Sequence, residues 1–576
     1  MALFRFHVAR GLLLAGVLAT GSLTAAPLSS SPLGAEIAAA TAAADPRDPA
    51  VGNRLALIGN GYDALLLRVH LIRQAQASIA IQTFIWTNDE CGRLLIYELL
   101  GAARRGVKVR IIADHLVSEQ DPATMAFLAT AHPNLEVRHY RPAFSRMNPS
   151  LWQKLLAGLR SFRAINQRMH NKVLLVDDAV LLTGGRNVEN TYFDHSTAMN
   201  FLDRDVLAVG AVVPLASAAF ESYWRYEHVV PSAALSDVAA VVARGDFRRY
   251  PARADYDFGP HFTELDREAD DAALIAARFA SRLRPAQRVT FVCDEPGKAL
   301  HGASGMSHIT KRLRETLEGA KSSIVMQTPY LVLSPPARTL IKDLHRQNPG
   351  LRVRISSNSF ASTDNLFAYS ANYRLRNTYV EDLGLEIHEF KPQPASLLTV
   401  FPRQPRMAEL AAARAKSKSA PPPFLCLHAK SLVVDGRVAF VGSYNLDPRS
   451  ENLNTEVGLL VEDEPFARAL QAEIERDMRP ENSWVIARRA LPLRLEAINN
   501  LIENTLSLSP IDLWPIQNTS SFELLPGAAP VPPGHPDFFR NHREVGSFPG
   551  TEGLLSTKEI LTRLYKAVGA PLTPIL

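Results

Sequence analysis

The sequence predicts an α/β fold of two pseudo-symmetric halves, each a mixed sheet flanked by helices, with one shared active site. Three observations carry that prediction. The β-rich run Ser78-Ile79-Ala80-Ile81-Gln82-Thr83 is echoed by Ser323-Ile324-Val325-Met326-Gln327-Thr328. Each run follows one amphipathic helix and precedes another, which leads to a further strand at Val107 to Ile112 or at Leu351 to Ile355. Such strand–helix–strand alternation implies largely parallel pairing with helices on the faces. Finally, one constellation of His, Lys, Asp, Gly and Asn occurs once in each repeat.

Composition supports a folded protein with a sizeable core. The chain has 576 residues, 47% hydrophobic and 21% charged. These values exclude disordered, collagen-like and polytopic membrane classes. Lys plus Arg (63) barely exceeds Asp plus Glu (58), a net charge of +5. Wholesale wrapping of nucleic acid is therefore not implied. Three widely spaced cysteines, Cys91, Cys293 and Cys426, form neither a disulfide framework nor a metal-ligand pattern, and read as structural thiols.

Along the chain, residues 1–26 read as a targeting segment. Arg5, His7 and Arg10 precede the apolar run Gly11 to Ala19, giving a signal peptide or an uncleaved anchor. With the scarcity of cysteine this places the protein in a bacterial cell envelope, exported and either periplasmic or held at the inner membrane. Residues 27–50, rich in Ala, Pro and Ser, read as a flexible tether. Gly59-Asn60-Gly61-Tyr62-Asp63-Ala64 is a weak match to a dinucleotide fingerprint. It reads better as a turn with Asp63 capping a helix to about Gln76. The first half spans 51–236, a connector 237–310, the second half 311–480 and an extension 481–576 that ends in a helix near Ser556 to Val568. Within the second half the basic stretch Pro402 to Pro423 reads as a mobile surface loop.

The chemistry lies in the repeated constellation. The first copy is His170-Asn171-Lys172, then Asp177, then Gly184-Gly185-Arg186-Asn187. The second is His428-Ala429-Lys430, then Asp435, then Gly442-Ser443-Tyr444-Asn445. One copy by chance is on the order of one in ten million per position. His and Lys two apart on a strand project from one face. A two-residue turn at Asp435-Gly436 pairs His428 with Ser443, and the same count pairs His170 with Gly185. Small residues opposite the imidazoles leave space for a substrate. Asn187 and Asn445 fall on the same face within diagonal reach.

Each hairpin thus offers an imidazole, a cation and an amide, a set suited to phosphate. Displacement at a phosphodiester needs a nucleophile and an acid, one from each half. One imidazole must start neutral and the other protonated. Lys172, Lys430, Asn187 and Asn445, with Ser443 and Gly185, form the phosphate cradle. Asp177 and Asp435 belong to the catalytic constellation but sit at the turns and project to the other face. Their reading is structural rather than proton-transferring. Asp205 and Glu456, on the following strands, are the nominees to orient the imidazoles. No clustered ligand set calls for a metal, and no cofactor is implied.

These paired motifs resemble the phospholipase D superfamily over most of 51–480. Arg168-Met169-His170-Asn171-Lys172, Tyr192-Phe193 and Leu446-Asp447-Pro448-Arg449-Ser450, leading to Leu453-Asn454-Thr455-Glu456, resemble the C-type bacterial cardiolipin synthases in particular. The resemblance implies metal-independent chemistry through a phosphohistidine, with His170 as nucleophile. It also implies phospholipid substrates and phosphatidyl transfer that makes cardiolipin from phosphatidylglycerol and a second phospholipid. The alternatives are a phospholipase D-type hydrolase, a nuclease of the same superfamily and a catalytically dead scaffold. A nuclease would want a longer basic groove with interleaved aromatics, and neither motif copy has lost a residue. Leu151 to Ile165 has Leu151, Trp152, Leu155, Leu156, Leu159 and Phe162 on one face and Lys154 and Arg160 on the other. It reads either as a helix docking on anionic lipid or as an ordinary core helix.

Overall fold

The computed structural model of the chain describes residues 28–150, 152–153, 166–258, 262–298, 306–415, 421–490 and 518–550. The N-terminal targeting segment and the C-terminal helix near Ser556 to Val568 lie outside the described residues. So does Leu151 to Ile165, apart from Trp152 and Gln153.

In chain order the first half contributes β1 (Asn53–Ile58), β2 (Ser78–Thr83), β3 (Lys108–Asp114), β4 (Leu135–Tyr140) and β5 (Val173–Val176). Then come β6 (Val180–Gly184), β7 (Met199–Leu202), β8 (Asp205–Gly210) and β9 (Val229–Pro231). With β10 (Arg284–Ala286) they form a sheet ordered β10-β1-β8-β6-β5-β2-β3-β4-β9, with β7 outside it. The second half follows with β11 (Arg288–Cys293), β12 (Ser323–Gln327), β13 (Arg352–Asn358), β14 (Glu386–Phe390) and β15 (Phe424–Leu427). Next are β16 (Ser431–Val434), β17 (Val438–Gly442), β18 (Val457–Glu462), β19 (Ser483–Arg488), β20 (Thr519–Leu524) and β21 (His542–Gly546). Their order is β11-β18-β17-β16-β12-β13-β14-β19-β20-β21, with β15 outside. From β1 to β9 and from β11 to β19 the two orders match strand for strand. In each, three central strands run parallel and the rest are antiparallel.

The two sheets bury their inner faces on one another. Val173, Leu175, Val206 and Ala208 share a core with Val433, Val441, Val457 and Leu459. Helices cover the outer faces. A buried polar seam crosses the interface, where Arg204 reaches Glu473 at 2.8 Å and Asp477 at 2.9 Å. Among the described residues no helix is long and apolar enough to cross a membrane.

Several boundaries differ from the sequence reading. Within the expected tether 27–50, the described residues 28–50 are not a tether: Leu33–Ala43 is a helix that buries Leu33, Ile37 and Ala40 on the first half, the helical spacing of its larger side chains outweighing its alanine bias. The connector belongs to both sheets. β10 pairs with β1, and β11 pairs with β18 after Gln287 alone, so the second half begins at Arg288. The extension enters that half too, because β19 pairs with β14, and β20 and β21 follow. Within 402–423, Gln404–Arg414 is a helix that buries Met407. Arg403 lies 4.3 Å from the Tyr62 ring centroid and Arg414 3.0 Å from Glu90, both in the first half. Finally, the helix Gly61–Gln74 is capped by Asn60, which accepts from the Asp63 amide, and not by Asp63.

Candidate active site

Parallel pairing between the halves builds the site. β7 and β15 run side by side with Leu202 opposite Leu427, so the next residues, Asp203 and His428, emerge together. The His428 amide donates to the Leu202 carbonyl at 2.8 Å, and His428 Nδ1 lies 2.6 Å from Asp203 Oδ2. The pattern recurs in mirror roles. Met169 bridges Thr455 in parallel, the His170 amide donates to the Thr455 carbonyl at 3.0 Å, and His170 Nδ1 lies 2.9 Å from Glu456 Oε2. Each imidazole is held by a carboxylate from the opposite half.

Asp205 is therefore not the partner of His428. It sits in the β8 ladder opposite Gly184 and binds Arg68 at 2.9 Å and Arg186 at 3.5 Å. Asp203, which the sequence reading passed over, precedes the strand and meets the chain that precedes β16. Matching the two ladders at Gly184 and Gly442 would have found it, because Asp205 then aligns with Gly458 and Asp203 with Glu456.

The hairpin register is also one residue away from the expected one. Val176 pairs with Val180 and Val434 with Val438, so each loop has three residues. Asp177 and Asp178 take φ of 53° and 49°, and Asp435 and Gly436 take 53° and 64°. His428 thus does not face Ser443, nor His170 Gly185. A Cβ on Gly185 would stand 2.1 Å from Asp203 Oδ1, so its bareness makes room for the carboxylate rather than for a substrate. At the matching place Ser443 Oγ donates to Glu456 Oε2 at 2.5 Å.

Lys172 and Lys430 are buried beside their histidines. Lys172 Nζ donates to the His170 carbonyl at 2.8 Å, and Lys430 Nζ lies 2.8 Å from His428 Nδ1. The two asparagines differ. Asn187 Nδ2 donates to Tyr192 Oη at 2.8 Å, and that hydroxyl lies 3.4 Å from His428 Nε2. Asn445 is 4% exposed, and its carboxamide oxygen has no hydrogen-bond partner among the described residues. Tyr192 and Phe201 flank the His428 ring, and Phe84 meets the His170 ring edge-on at 4.8 Å.

Asp177 and Asp435 stand apart from both imidazoles. Asp177 accepts from the amides of Gln76, Ala77 and Ser78, and Asp435 from those of Lys321, Ser322 and Ser323. Each ties its hairpin loop to the start of the neighbouring strand, β2 or β12.

Burial dominates the electrostatics. Together with the charges of Lys172, Lys430 and His428 it holds the His170 imidazole well below its ordinary value. Burial and Lys430 pull His428 down to about 4 against the opposing pull of Asp203. That His170 feels both Lys430 and His428 means that the halves share one field. The carboxylates diverge. Burial lifts Glu456 to about 7, although Lys172 and Ser443 oppose it. Burial also lifts Asp203, but the charge and hydrogen bond of His428, with Lys430 and Arg186, outweigh it and hold Asp203 below its ordinary value. Burial brings Lys430 down to about 8. Among the described residues no three His, Cys, Asp or Glu side chains gather to hold a metal.

Comparison with known proteins agrees with this architecture. A family model described as cardiolipin synthase, PLD-like domain, matches residues 69–224 and 313–478, one segment in each half. Cardiolipin synthase C of Escherichia coli is 31% identical over 413 residues, covering 71% of this chain and 81% of that protein. An uncharacterized protein of Helicobacter pylori is 31% identical over 438 residues, covering 74% of this chain and 79% of its own length. In structure the chain resembles phosphatidylserine synthase of Haemophilus influenzae, with a TM-score of 0.50 and 16% identity over 81% of this chain and 93% of that one. Two PLD-like halves that exchange carboxylates across one site, matched twice by the same family model, place this chain in the cardiolipin synthase, PLD-like domain family, as a phospholipase D-superfamily enzyme of phospholipids.

Proposed function

We propose that the protein is a phosphatidyltransferase that works through a phosphohistidine on His170 and joins a phosphatidyl group to phosphatidylglycerol, making cardiolipin. The crosswise His–carboxylate pairing is the observation that carries this reading. Glu456 on His170 Nδ1 leaves Nε2 free to attack phosphorus. Asp203, favoured as an anion, supports a proton on His428. An anionic phosphodiester arriving between Lys172 and Lys430 raises the proton affinity of both imidazoles.

In the first step the His170 Nε2 lone pair forms the P–N bond while the bond to the headgroup oxygen breaks. The His428 proton passes to that leaving oxygen. In the second step the acceptor hydroxyl gives its proton to His428 as its oxygen attacks phosphorus and the P–N bond breaks. Lys172, Lys430 and the Asn445 carboxamide stabilise the charge on the non-bridging oxygens.

Transfer wins over hydrolysis if a positioned hydroxyl exceeds the effect of water at about 55 M, within reach of well-oriented sites. A membrane at the catalytic edge supplies such acceptors. Exposed Leu116, Phe144, Trp152, Phe367 and Leu398 follow the C-terminal ends of β3, β4, β13 and β14, the end from which both histidines project. That placement supports docking of this edge on the lipid surface of the cell envelope. Incubation with labelled phosphatidylglycerol and phosphatidylethanolamine tests the reading. Cardiolipin with released glycerol or ethanolamine is expected. Phosphatidic acid as the main product would make the protein a hydrolase, and DNA cleavage without lipid turnover would overturn both readings.

A further inference from the structure

The halves differ on the outer face of each sheet, beside the catalytic lysine. In the first half Lys172, Arg68 and Arg186 line a cavity of only about 30 Å3. Arg68 and Arg186 both bind Asp205 there, and Arg68 also lies 5.2 Å from the Phe193 ring centroid. The lysine is kept as Lys430, but Arg68, Arg186 and Asp205 are each replaced in the second half. Leu313 stands where the first half has Arg68, each ten residues before its repeated strand begins at Ser323 or Ser78. Tyr444 stands in place of Arg186, each sixteen residues after its histidine. Gly458 stands in place of Asp205, as the ladder partner of Gly442 rather than of Gly184.

Loss of the plug leaves a cavity of about 110 Å3 between the second sheet and the helices His308–Glu318 and Pro335–Gln347. Leu313, Leu317, Met326, Leu340, Leu432 and Phe440 line its walls. Lys430, whose ammonium group lies beside His428, is among the lining residues. The lining also includes Met306, which is 46% exposed, so the cavity reaches the surface. Thr310, Arg314, Gln327, Ser431 and Glu451 also contribute to the lining, and the apolar walls between them are a surface on which small apolar groups can settle. A polar head at Lys430 and apolar walls beyond it fit a molecule with an anionic head and a hydrocarbon tail.

We propose that this cavity seats a segment of one hydrocarbon chain of the phospholipid substrate while its phosphate lies at Lys430, making it a chain-recognition subsite that the first half has closed with charge. The inference rests on the lipid reading above. Each methylene moved out of water is worth roughly fourfold in affinity, so excluding two of them costs roughly fifteenfold.

Two measurements test it. Ala337 lines the cavity, and Ala337→Trp narrows it. The ratio of kcat/KM for a dipalmitoyl donor to that for a dihexanoyl donor is expected to fall about fifteenfold. An unchanged ratio in a variant whose melting temperature matches the parent overturns the proposal. The second measurement needs no variant: phosphatidylglycerol with a diazirine in mid-chain is photolysed on the unmodified protein. Label on residues 308–318 or 335–347 is expected, and label confined to other segments overturns the proposal. Absence of turnover with either chain length would instead overturn the lipid function itself, a result distinct from an unchanged ratio.

Discussion

The His428–Asp203 pair and the His170–Glu456 pair occupy equivalent places in a duplicated scaffold, yet they are tuned in opposite directions. Asp203 is short, is accommodated by the bare Gly185 and is held as an anion by its imidazole. Glu456 is longer, accepts from Ser443 Oγ and is lifted to about 7 by burial. The difference teaches that the scaffold's symmetry positions two imidazoles while local substitutions give them different surroundings. In the mechanism proposed above, Asp203 suits the histidine that must carry a proton, and Glu456 the one that must start neutral.

The largest expected break in that comparison comes from the imidazoles themselves. His170→Ala and His428→Ala should each lower phosphatidyl transfer by about 10³–10⁴-fold. They should part company on a phosphodiester with an activated aryl leaving group, which needs no acid. There the His428→Ala enzyme should still accumulate a covalent phosphoryl adduct on His170, visible by mass spectrometry. An adduct on neither imidazole in the parent enzyme would end the mechanism.

Next come the carboxylates and their neighbours. Asp203→Asn should cost about 10²–10⁴-fold in kcat by mispositioning the imidazole. Gly185→Ala should follow it closely, because the added Cβ collides with Asp203. Ser443→Ala at the equivalent place removes one donor and no space, and should cost about tenfold or less. Equal losses at the two positions would show that the halves are not differently tuned.

The pH profile sharpens the same contrast. Ionisation of Glu456 near pH 7 strengthens its hold on His170 Nδ1 and makes Nε2 more nucleophilic. The parent's kcat/KM should therefore rise through about pH 7, and Glu456→Gln should flatten that limb. Stability runs the other way. Glu456 is raised from 4.5 to about 7, so the folded state holds the extra proton in that window and loses stability as pH rises through it. Melting temperatures of the Glu456→Gln protein should gain on the parent between those pH values.

The smallest expected effects lie at the hairpin loops. Asp177→Asn and Asp435→Asn each weaken a three-amide clamp, and should lower stability by about 1–3 kcal/mol while the folded fraction turns over within about twofold of the parent. Thermal melts paired with specific activity check this. A large loss of kcat without a loss of stability would return these aspartates to the chemistry.

Features that depend on local pattern were legible in the sequence. The repeat, the double constellation and the strand alternation lead to two matching halves because side-chain period and spacing encode them. Relations settled by distant segments were not legible. Asp435-Gly436 is a two-residue turn signal, but the aspartate is claimed by amides at Lys321 to Ser323 and the loop takes a third residue. Asp203 meets His428 through a parallel pairing of β7 with β15, far apart in the chain. Arg403 and Arg414 look like a solvated charge run until Tyr62 and Glu90 of the other half meet them. The helix Leu33–Ala43 was the exception. Its buried Leu33, Ile37 and Ala40 recur at helical spacing, and alanine content alone hid it.

The exchange of carboxylates between halves has a consequence for how such a protein can change over generations. A homodimer of one half would be bound to identical partners at both histidines, because one codon would write both. Fusion into a single chain frees each position to drift alone: glycine against serine, aspartate against glutamate, an arginine plug against a leucine-lined hollow. It also makes the copies hostages to one another, since neither can be deleted or silenced without disarming the survivor's imidazole.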